Sequence, residues 1–534
     1  MFGAGAMTNS IPEIRDTELM FVIGSNTTEA HPIIAMEMKR AVKNGSKLIV
    51  ADPRRIWLAD IADLYLQLNP GTDVALLNGM AHVILRDELH DKAFIAAHCE
   101  DFDKTVEAVR DCTPAWAEGI TGVPAADIEK AARWYATTER AGIYYTLGIT
   151  EHTHGTDNVY SLANLVLMTG HLGKHATGMN PLRGQNNVQG ANDAGASPVF
   201  YPGYQRVNDP AAQAKFEEAW GVELSPNDGM NLNVMMKNLG TRLKGLYIIG
   251  EDVVLSEPNA GKIEEGLNAV EFIVQQDIFI NETTRYADVV LPAACFAEKD
   301  GVFTNSDRRV QRVRKAVSAP GEALPDWQII CALSNALGYP MNYDEPAEIY
   351  AELASLSPKF SGISHERIED GGLQWPCETT EHPGTPTLHG DGPVQGRGIF
   401  QATYYRPSEE LPDAEYDLLL STGRTLYHYN SATQTRRGSG AHAKQPHNFV
   451  EMHKRDARRR GFEDGQPVRV TSRRGSIIAN VLFSPRMRKG CVWMPLHFAE
   501  SNTNRITNDA GDPVTQTAEY KVCAVRIEPL AAAK

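Results

Sequence analysis

Two stretches of the chain place a glycine turn and a later carboxylate at nearly the same separation: Asp52 lies 28 residues after Gly24, and Asp277 lies 27 after Gly250. A glycine turn that follows a strand lets the backbone approach a pyrophosphate, and an acid at the end of the next strand can accept hydrogen bonds from a nucleotide. Adenine dinucleotides use that acid on a ribose. A guanine base instead presents adjacent N1–H and N2–H donors that match both oxygens of one carboxylate. Taken alone, Asp52 reads equally well as a turn cap before Pro53; the second copy at matching spacing favours a nucleotide. Neither copy carries the full GxGxxG fingerprint, which argues against a nicotinamide dinucleotide. A third candidate is the stretch 170–195, rich in glycine and amide side chains, in which Arg183 is the only guanidinium. Loop amides in a compact protein need partners, so such a stretch reads as a binding loop. A planar guanidinium fork suits a small carboxylate or a phosphate, whereas an arbitrary arginine more often simply faces solvent.

The elements that must hold these residues follow from hydrophobic patterning. Continuous apolar runs at 19–23 and 47–50 flank a helical stretch over 32–44, and runs at 246–249 and 272–274 flank another that ends near 267. This predicts two related βαβ units, each with a parallel sheet covered on both faces, where ligands sit outside the carboxyl ends of the strands. Helices are predicted over 73–85, 125–136, 159–169 and 326–337, and further strands over 142–147 and 283–292. Residues 376–398 are rich in Pro and Gly and read as a linker. Beyond it, short strands at 416–420, 467–471, 476–482 and 490–494 predict an all-β terminal domain, a small barrel. The expected class is α/β: two Rossmann-like parallel-sheet domains related by a pseudo-repeat, over 1–185 and 186–345, then a connecting segment over 346–398 and a β-barrel over 399–534.

Composition narrows the functions. The chain has 534 residues and a net charge of -15, so its surface repels phosphate backbones and nucleic acid is not an expected partner. No apolar run is long enough for a spanning helix and the first residues do not form a signal peptide, so a cytoplasmic location is expected. The seven cysteines are scattered with no CxxC, which argues against a disulfide framework and offers no iron–sulfur ligand set. Cys295, Cys331 and Cys523 read as buried fillers. His152, His154, His171 and His175 lack the spacing and companions of a zinc site, and no metal ligand is assigned. The basic run over 308–314 reads as a solvated face.

Taken together, GAMTNSI, the GSN and ADPRR pair, NPGTD, TGHLGK, PLRGQNNVQGANDAG, DVVLP, DGVFTNSDRRVQR, PDWQI, HFAESNTNRITN and AEYKVCAVRIEP resemble the large (alpha) subunit of molybdenum or tungsten formate dehydrogenases, within the molybdopterin oxidoreductase superfamily. The resemblance runs in order through essentially the whole chain, and PLRGQNNVQG is its most specific part. It implies a bis(molybdopterin guanine dinucleotide) cofactor with molybdenum or tungsten, a double-psi type of barrel, and oxidation of formate to carbon dioxide or the reverse. By resemblance Gly24, Asn26, Asp52, Arg54, Gly71 and Asp73 serve one dinucleotide, and Gly250, Glu251, Asp252, Gln276 and Asp277 the other. Arg424, His428, Asn504, Tyr520 and Lys521 match positions that close over the pterins. Arg183 matches the arginine that orients formate, with Gly184 and Gln185 beside it near the metal.

The resemblance also implies a 4Fe–4S cluster and electron-transfer partner subunits of iron–sulfur, flavin/NAD or hydrogenase type. In the family the metal-binding cysteine or selenocysteine, its neighbouring histidine and the cluster ligands precede the GAMTNSI segment. The expectation is therefore a truncated chain, inactive alone. The alternatives are a non-catalytic pterin-binding scaffold or electron-transfer subunit, which has no use for Arg183, and a two-site nicotinamide or flavin dehydrogenase, which needs the missing fingerprint. Glu151 departs from the family, which has Gln there, and sequence alone does not explain it.

Overall fold

The structure is a computed structural model and describes residues 1–530. Tertiary contacts divide it into two compact units. One comprises Met1–Leu182, Val253–Glu265 and the chain from Thr387 onward; the other comprises Arg183–Asp252 and Gly266–Pro386.

The first unit is built on five parallel strands, β1 (Leu19–Ile23), β2 (Lys47–Ala51), β3 (Leu64–Leu66), β4 (Ala141–Tyr145) and β5 (Met179–Pro181), in the order β3-β2-β1-β4-β5. Every residue of β1 is buried, because its two faces serve two cores. Leu19, Phe21 and Ile23 pack with Leu76, Met80, Ile128 and Leu165 from the helices Asp73–Arg86, Ala125–Thr137 and Gly155–Met168. Met20 and Val22 pack with Ile34, Met38 and Ala41 of the helix Pro32–Lys43. An apolar run without alternation is what a strand covered on both sides requires. The predicted strand over 142–147 ends at Tyr145, and Leu147 already opens the short helix Leu147–Thr150.

The second unit holds the other half of the repeat: β6 (Gly245–Ile249), β7 (Phe272–Asp277) and β8 (Val289–Pro292), parallel, in the order β8-β7-β6. The strand predicted over 283–292 is shorter than expected. Residues Thr283–Tyr286 form one 3₁₀ turn, because the Asp252 carboxylate accepts from the Thr283 amide and hydroxyl and pins the chain there. The basic run is a second correction. Arg308 is fully buried and donates to the carbonyls of Trp375, Thr385 and Pro386, so three acceptors replace the water it gives up. Arg314 is the exposed arginine of the run. Of the cysteines read as fillers, Cys523 is buried but Cys295 and Cys331 are partly exposed, on a turn and on a helix that faces solvent on one side.

The carboxy-terminal segment, part of the first unit, closes into a barrel of β9 (Leu418–Gly423), β10 (Phe449–His453), β11 (Pro467–Thr471), β12 (Ser476–Ser484), β13 (Cys491–Pro495) and β14 (Cys523–Pro529), ordered β9-β13-β10-β12-β11-β14. Alternate residues of β11 and β12, such as Val468, Val470, Ile477, Ala479 and Val481, fill its interior. Among the described residues, no helix is long and apolar enough to cross a membrane.

The sheet of the first unit reverses its order at β1 and β4, and the loops leaving these strands touch. Gly24 has φ +56, and a Cβ on Gly148 would lie 2.5 Å from its carbonyl oxygen. Gly148→Ala is expected to lower stability by about 1–3 kcal/mol through forced backbone displacement. The check is a lower denaturant midpoint at unchanged slope. Gly119→Ala, on a helix with open space at that position, is the control and should raise stability by up to about 1 kcal/mol.

Candidate functional site

Three loops meet at the carboxyl end of the first sheet. The Gly24 carbonyl accepts from the Gly148 amide (3.1 Å) and the Thr146 hydroxyl (2.8 Å), while the Gly24 amide donates to Ala51 O (3.0 Å). This fixes the floor of a crevice at the point where strand order reverses, the usual ligand position in such sheets. Asn26 follows the turn, and its buried side-chain oxygen has no partner. Asp52 follows β2; its Oδ1 accepts from the Arg54 amide at 2.9 Å. Burial pushes the Asp52 carboxyl up to about 7, against the pull of the Arg54 amide and charge. Arg54 donates to Glu451 (2.8 Å) and lies over the Trp493 ring at 4.4 Å, so barrel residues hold its guanidinium.

Asp73, the first residue of its helix, is buried, and desolvation raises it to about 6 despite the nearby His152. Gly71 precedes it with φ +75. Sequence reasoning left His152 unassigned and missed Glu519. The His152 ring bonds Gly148 O (3.0 Å) and stands 3.6 Å from Glu519 and 4.0 Å from Asp73. Burial opposes charge on this imidazole, but the two carboxylates outweigh it and raise its pKa. His154, stacked on His152 at 5.3 Å, lies deep, and burial outweighs the pull of Glu519 and lowers it to about 4.

The structure accounts for Glu151. Its carboxylate sits 2.7 Å from the Lys521 ammonium, both nearly buried, and Lys521 also donates to Thr422 O at 3.1 Å. With Thr153 near Glu519 (3.4 Å) and Thr156 bonded to Asp512 (2.7 Å), the segment 151–156 is held throughout by barrel residues. Nothing in the local sequence signals these contacts, because Glu519 and Asp512 lie more than 350 positions away.

The other barrel candidates have internal duties. Asn504 donates to Leu255 O and Ser256 O, both at 2.9 Å, and accepts from Thr507, while Tyr520 donates to Ser256 O at 3.2 Å. These two residues anchor the helix Val253–Ser256. His428 is buried, donates to Gln445 O at 2.7 Å, and is kept below the usual imidazole range by burial. Arg424 donates to Asn430 at 3.3 Å.

In the second unit, Gly250 has φ +66 and its amide donates to Gln276 O at 2.8 Å, repeating the Gly24–Ala51 bond of the first sheet. Glu251 lends its carbonyl to Gln275. Asp252 is spent on Glu282 and Thr283, and Asp277 on the Ile278 and Phe279 amides and the Asn281 amide group. The Gln276 side chain bonds Tyr247 and Asp326. Arg183 is half-buried while Gly184 and Gln185 beside it are exposed.

The residues of the first crevice suit a nucleotide. A buried oxygen without a donor, a carboxyl raised by burial and a loop contact too close for any side chain are features a donor-bearing base and a pyrophosphate would use. The molybdopterin oxidoreductase model matches residues 2–336, and the molydopterin dinucleotide binding domain model matches residues 418–524. The chain belongs to the molybdopterin oxidoreductase family. It is 46% identical over 531 residues to the F420-dependent formate dehydrogenase subunit alpha of Methanocaldococcus jannaschii, which covers 99% of this chain and 79% of that one. It is 41% identical to formate dehydrogenase H of Escherichia coli, over 99% of this chain and 75% of that one. Acetylene hydratase from Pelobacter acetylenicus superposes with a TM-score of 0.78 at 19% identity, covering 99% of this chain and 80% of the other, and so shares the fold.

Two predictions follow for this molybdopterin oxidoreductase. Between the unfolded value near about 3.9 and its folded value, Asp52 binds more proton folded than unfolded, so the stability it contributes falls as pH rises from about 4 to 7 and is level above. Asp52→Asn should therefore stabilise the cofactor-free protein at pH 8 by on the order of 1 kcal/mol, with the gain vanishing towards pH 4; melts across that range test it. Glu151→Ala strands the Lys521 ammonium and should cost about 3 kcal/mol. Glu151→Gln, which keeps an acceptor, should cost clearly less in the same denaturation assay.

Proposed function

We propose that this chain is the formate-oxidising subunit of a formate dehydrogenase, acting at a molybdenum or tungsten centre carried by two molybdopterin guanine dinucleotides. The observation that carries the reading is Arg183, held half-buried at the mouth of a polar loop in a chain whose relatives at 41–46% identity are named formate dehydrogenases. Fold alone is a weak guide, since the structural neighbour is named a hydratase.

Gly24, Asn26, Asp52, Arg54, Gly71 and Asp73 would hold one dinucleotide, with Asp52 accepting from the guanine donors, and Lys521, paired with Glu151, would help to close over the pterins. Gly250 and Glu251 would meet the second through backbone, while Asp252, Gln276 and Asp277 keep that loop in shape. Gly184 and Gln185 would line the approach. Arg424, His428, Asn504 and Tyr520 would close over the pterins mainly by fixing backbone. When bound, the group supplies the two-electron acceptor for the reaction.

The chain's own part is binding and orientation. The Arg183 fork takes both oxygens of formate, which fixes the direction of the C–H bond and excludes water from the carboxylate. Formate then gives carbon dioxide, one proton and two electrons. The electrons require partners, and we infer a 4Fe–4S cluster and an electron-transfer subunit in the working assembly, which is expected in the cytoplasm. The rival reading, a non-catalytic scaffold, is separated by activity.

Holoenzyme purified from its own host should reduce a redox dye with formate. Arg183→Lys should lower kcat/KM by about a hundredfold, the scale expected for losing a bidentate clamp, at unchanged metal content. Loss of metal in that variant would move Arg183 from substrate to cofactor, and absence of formate-dependent reduction in wild type would favour the scaffold.

A further inference from the structure

Arg183 does not stand alone in the second unit. Its Nε donates to Gln189 Oε1 at 3.3 Å, and its backbone amide donates to Ser306 Oγ at 3.1 Å. Gln189 is fully buried on the helix Val188–Asp193, one turn before Asp193 on the same face. A glutamine amide can point either end at a neighbour, so something must decide that oxygen faces the arginine. The amide nitrogen donates to Asp193 Oδ1 (3.0 Å) and to the Tyr204 hydroxyl (2.7 Å). Tyr204 donates in turn to the same Asp193 oxygen at 2.7 Å, which leaves its hydroxyl oxygen as the acceptor for Gln189. Trp375, buried, donates its indole N–H to the other Asp193 oxygen at 2.9 Å.

The polarity of the chain is thereby set from its buried end. Asp193 is an acceptor fed by three donors; both hydrogens of the Gln189 amide are committed, and its oxygen alone is turned outward to the guanidinium. Rotating the Gln189 amide would set NH₂ against the Arg183 N–H and a carbonyl oxygen against the Asp193 carboxylate, which breaks all three hydrogen bonds of the amide and adds two repulsions. Lys359 lies over the Tyr204 ring at 5.2 Å and the Trp375 ring at 5.9 Å, a cation that supports the buried carboxylate.

We propose that Gln189, oriented by Asp193 and Tyr204, is a positioning residue that aims the Arg183 fork and so sets affinity for the carboxylate substrate. This rests on the reading of Arg183 as the formate arginine. It adds a determinant buried away from the exposed loop, and helps explain why a small anion with few contacts is bound in a fixed direction.

The test uses holoenzyme from the native host. Gln189→Met keeps the volume and removes the acceptor. It should raise KM for formate about tenfold while kcat falls less than about threefold, at unchanged metal content. Tyr204→Phe, which removes one anchor of the amide but keeps the ring, should raise KM about threefold. In parallel, the rate at which phenylglyoxal modifies Arg183, mapped by mass spectrometry, should rise about threefold in cofactor-free Gln189→Met, because the guanidinium loses a hydrogen-bond partner. If wild type does not oxidise formate but the modification rate still rises, the positioning role stands and the formate reading falls. Unchanged KM in both variants of an active enzyme would overturn the positioning role. So would an unchanged modification rate, or a fall in kcat with loss of metal and no change in KM, which marks a purely structural network.

Discussion

The first unit depends on one backbone contact. Where the parallel sheet reverses its strand order, the carbonyl of Gly24 receives the Gly148 amide and the Thr146 hydroxyl, so that the ends of β1 and β4 touch with no room for a side chain between them. The crevice outside the strand ends has its floor there. The segment 151–156 leaves from that contact, and Glu519, Lys521 and Asp512 of the carboxy-terminal segment grip it. His152 joins the two, touching Gly148 O with one ring nitrogen while the other faces Glu519. A shift at Gly24 would therefore be felt in the crevice floor and in the docking of the barrel segment.

Around this floor the protein accumulates ionisable groups in poor electrostatic circumstances. Asp52 and Asp73 are both raised by burial, and His154 is depressed by it. A chain selected for stability alone has no reason to bury carboxylates with so few donors, since each costs free energy when ionised. Strain of this kind makes sense where a ligand will supply the missing donors. The second unit is different. Asp277, the counterpart of Asp52, is likewise raised by burial, but it accepts from the Ile278 and Phe279 amides and the Asn281 amide group, while Asp252 accepts from Thr283, so both acids shape their loop. The two halves of the repeat share strand order and glycine turn, yet they use their carboxylates differently.

The fold by itself does not select a reaction, because a protein named a hydratase adopts it at 19% identity. What narrows the chemistry is the likeness at 41–46% identity to chains named formate dehydrogenases; the structure adds that the Arg183 guanidinium donates to a buried amide, which itself donates to a buried carboxylate.

Much of this was legible in the sequence. β1 and β11 have the boundaries expected of them, and the repeat of glycine turn and carboxylate follows from residue spacing, because strands covered on both faces need unbroken apolar runs and turns with positive φ favour glycine. The candidate arginine was equally visible, but the stretch 170–195 is not one loop outside the core: Met179–Pro181 is strand β5, Val188–Asp193 is a helix, and Leu172, Met179 and Leu182 pack into the core, because a few apolar residues among glycines suffice where neighbouring elements cover them. Partnership was not visible. That Glu151 neutralises Lys521, that Arg308 is buried under three carbonyls, and that Asp252 is consumed by Thr283 depend on contacts across tens to hundreds of residues. Local sequence determines which groups a segment offers; only tertiary structure decides which are desolvated and which meet, because burial and hydrogen-bond pairing are properties of neighbours in space.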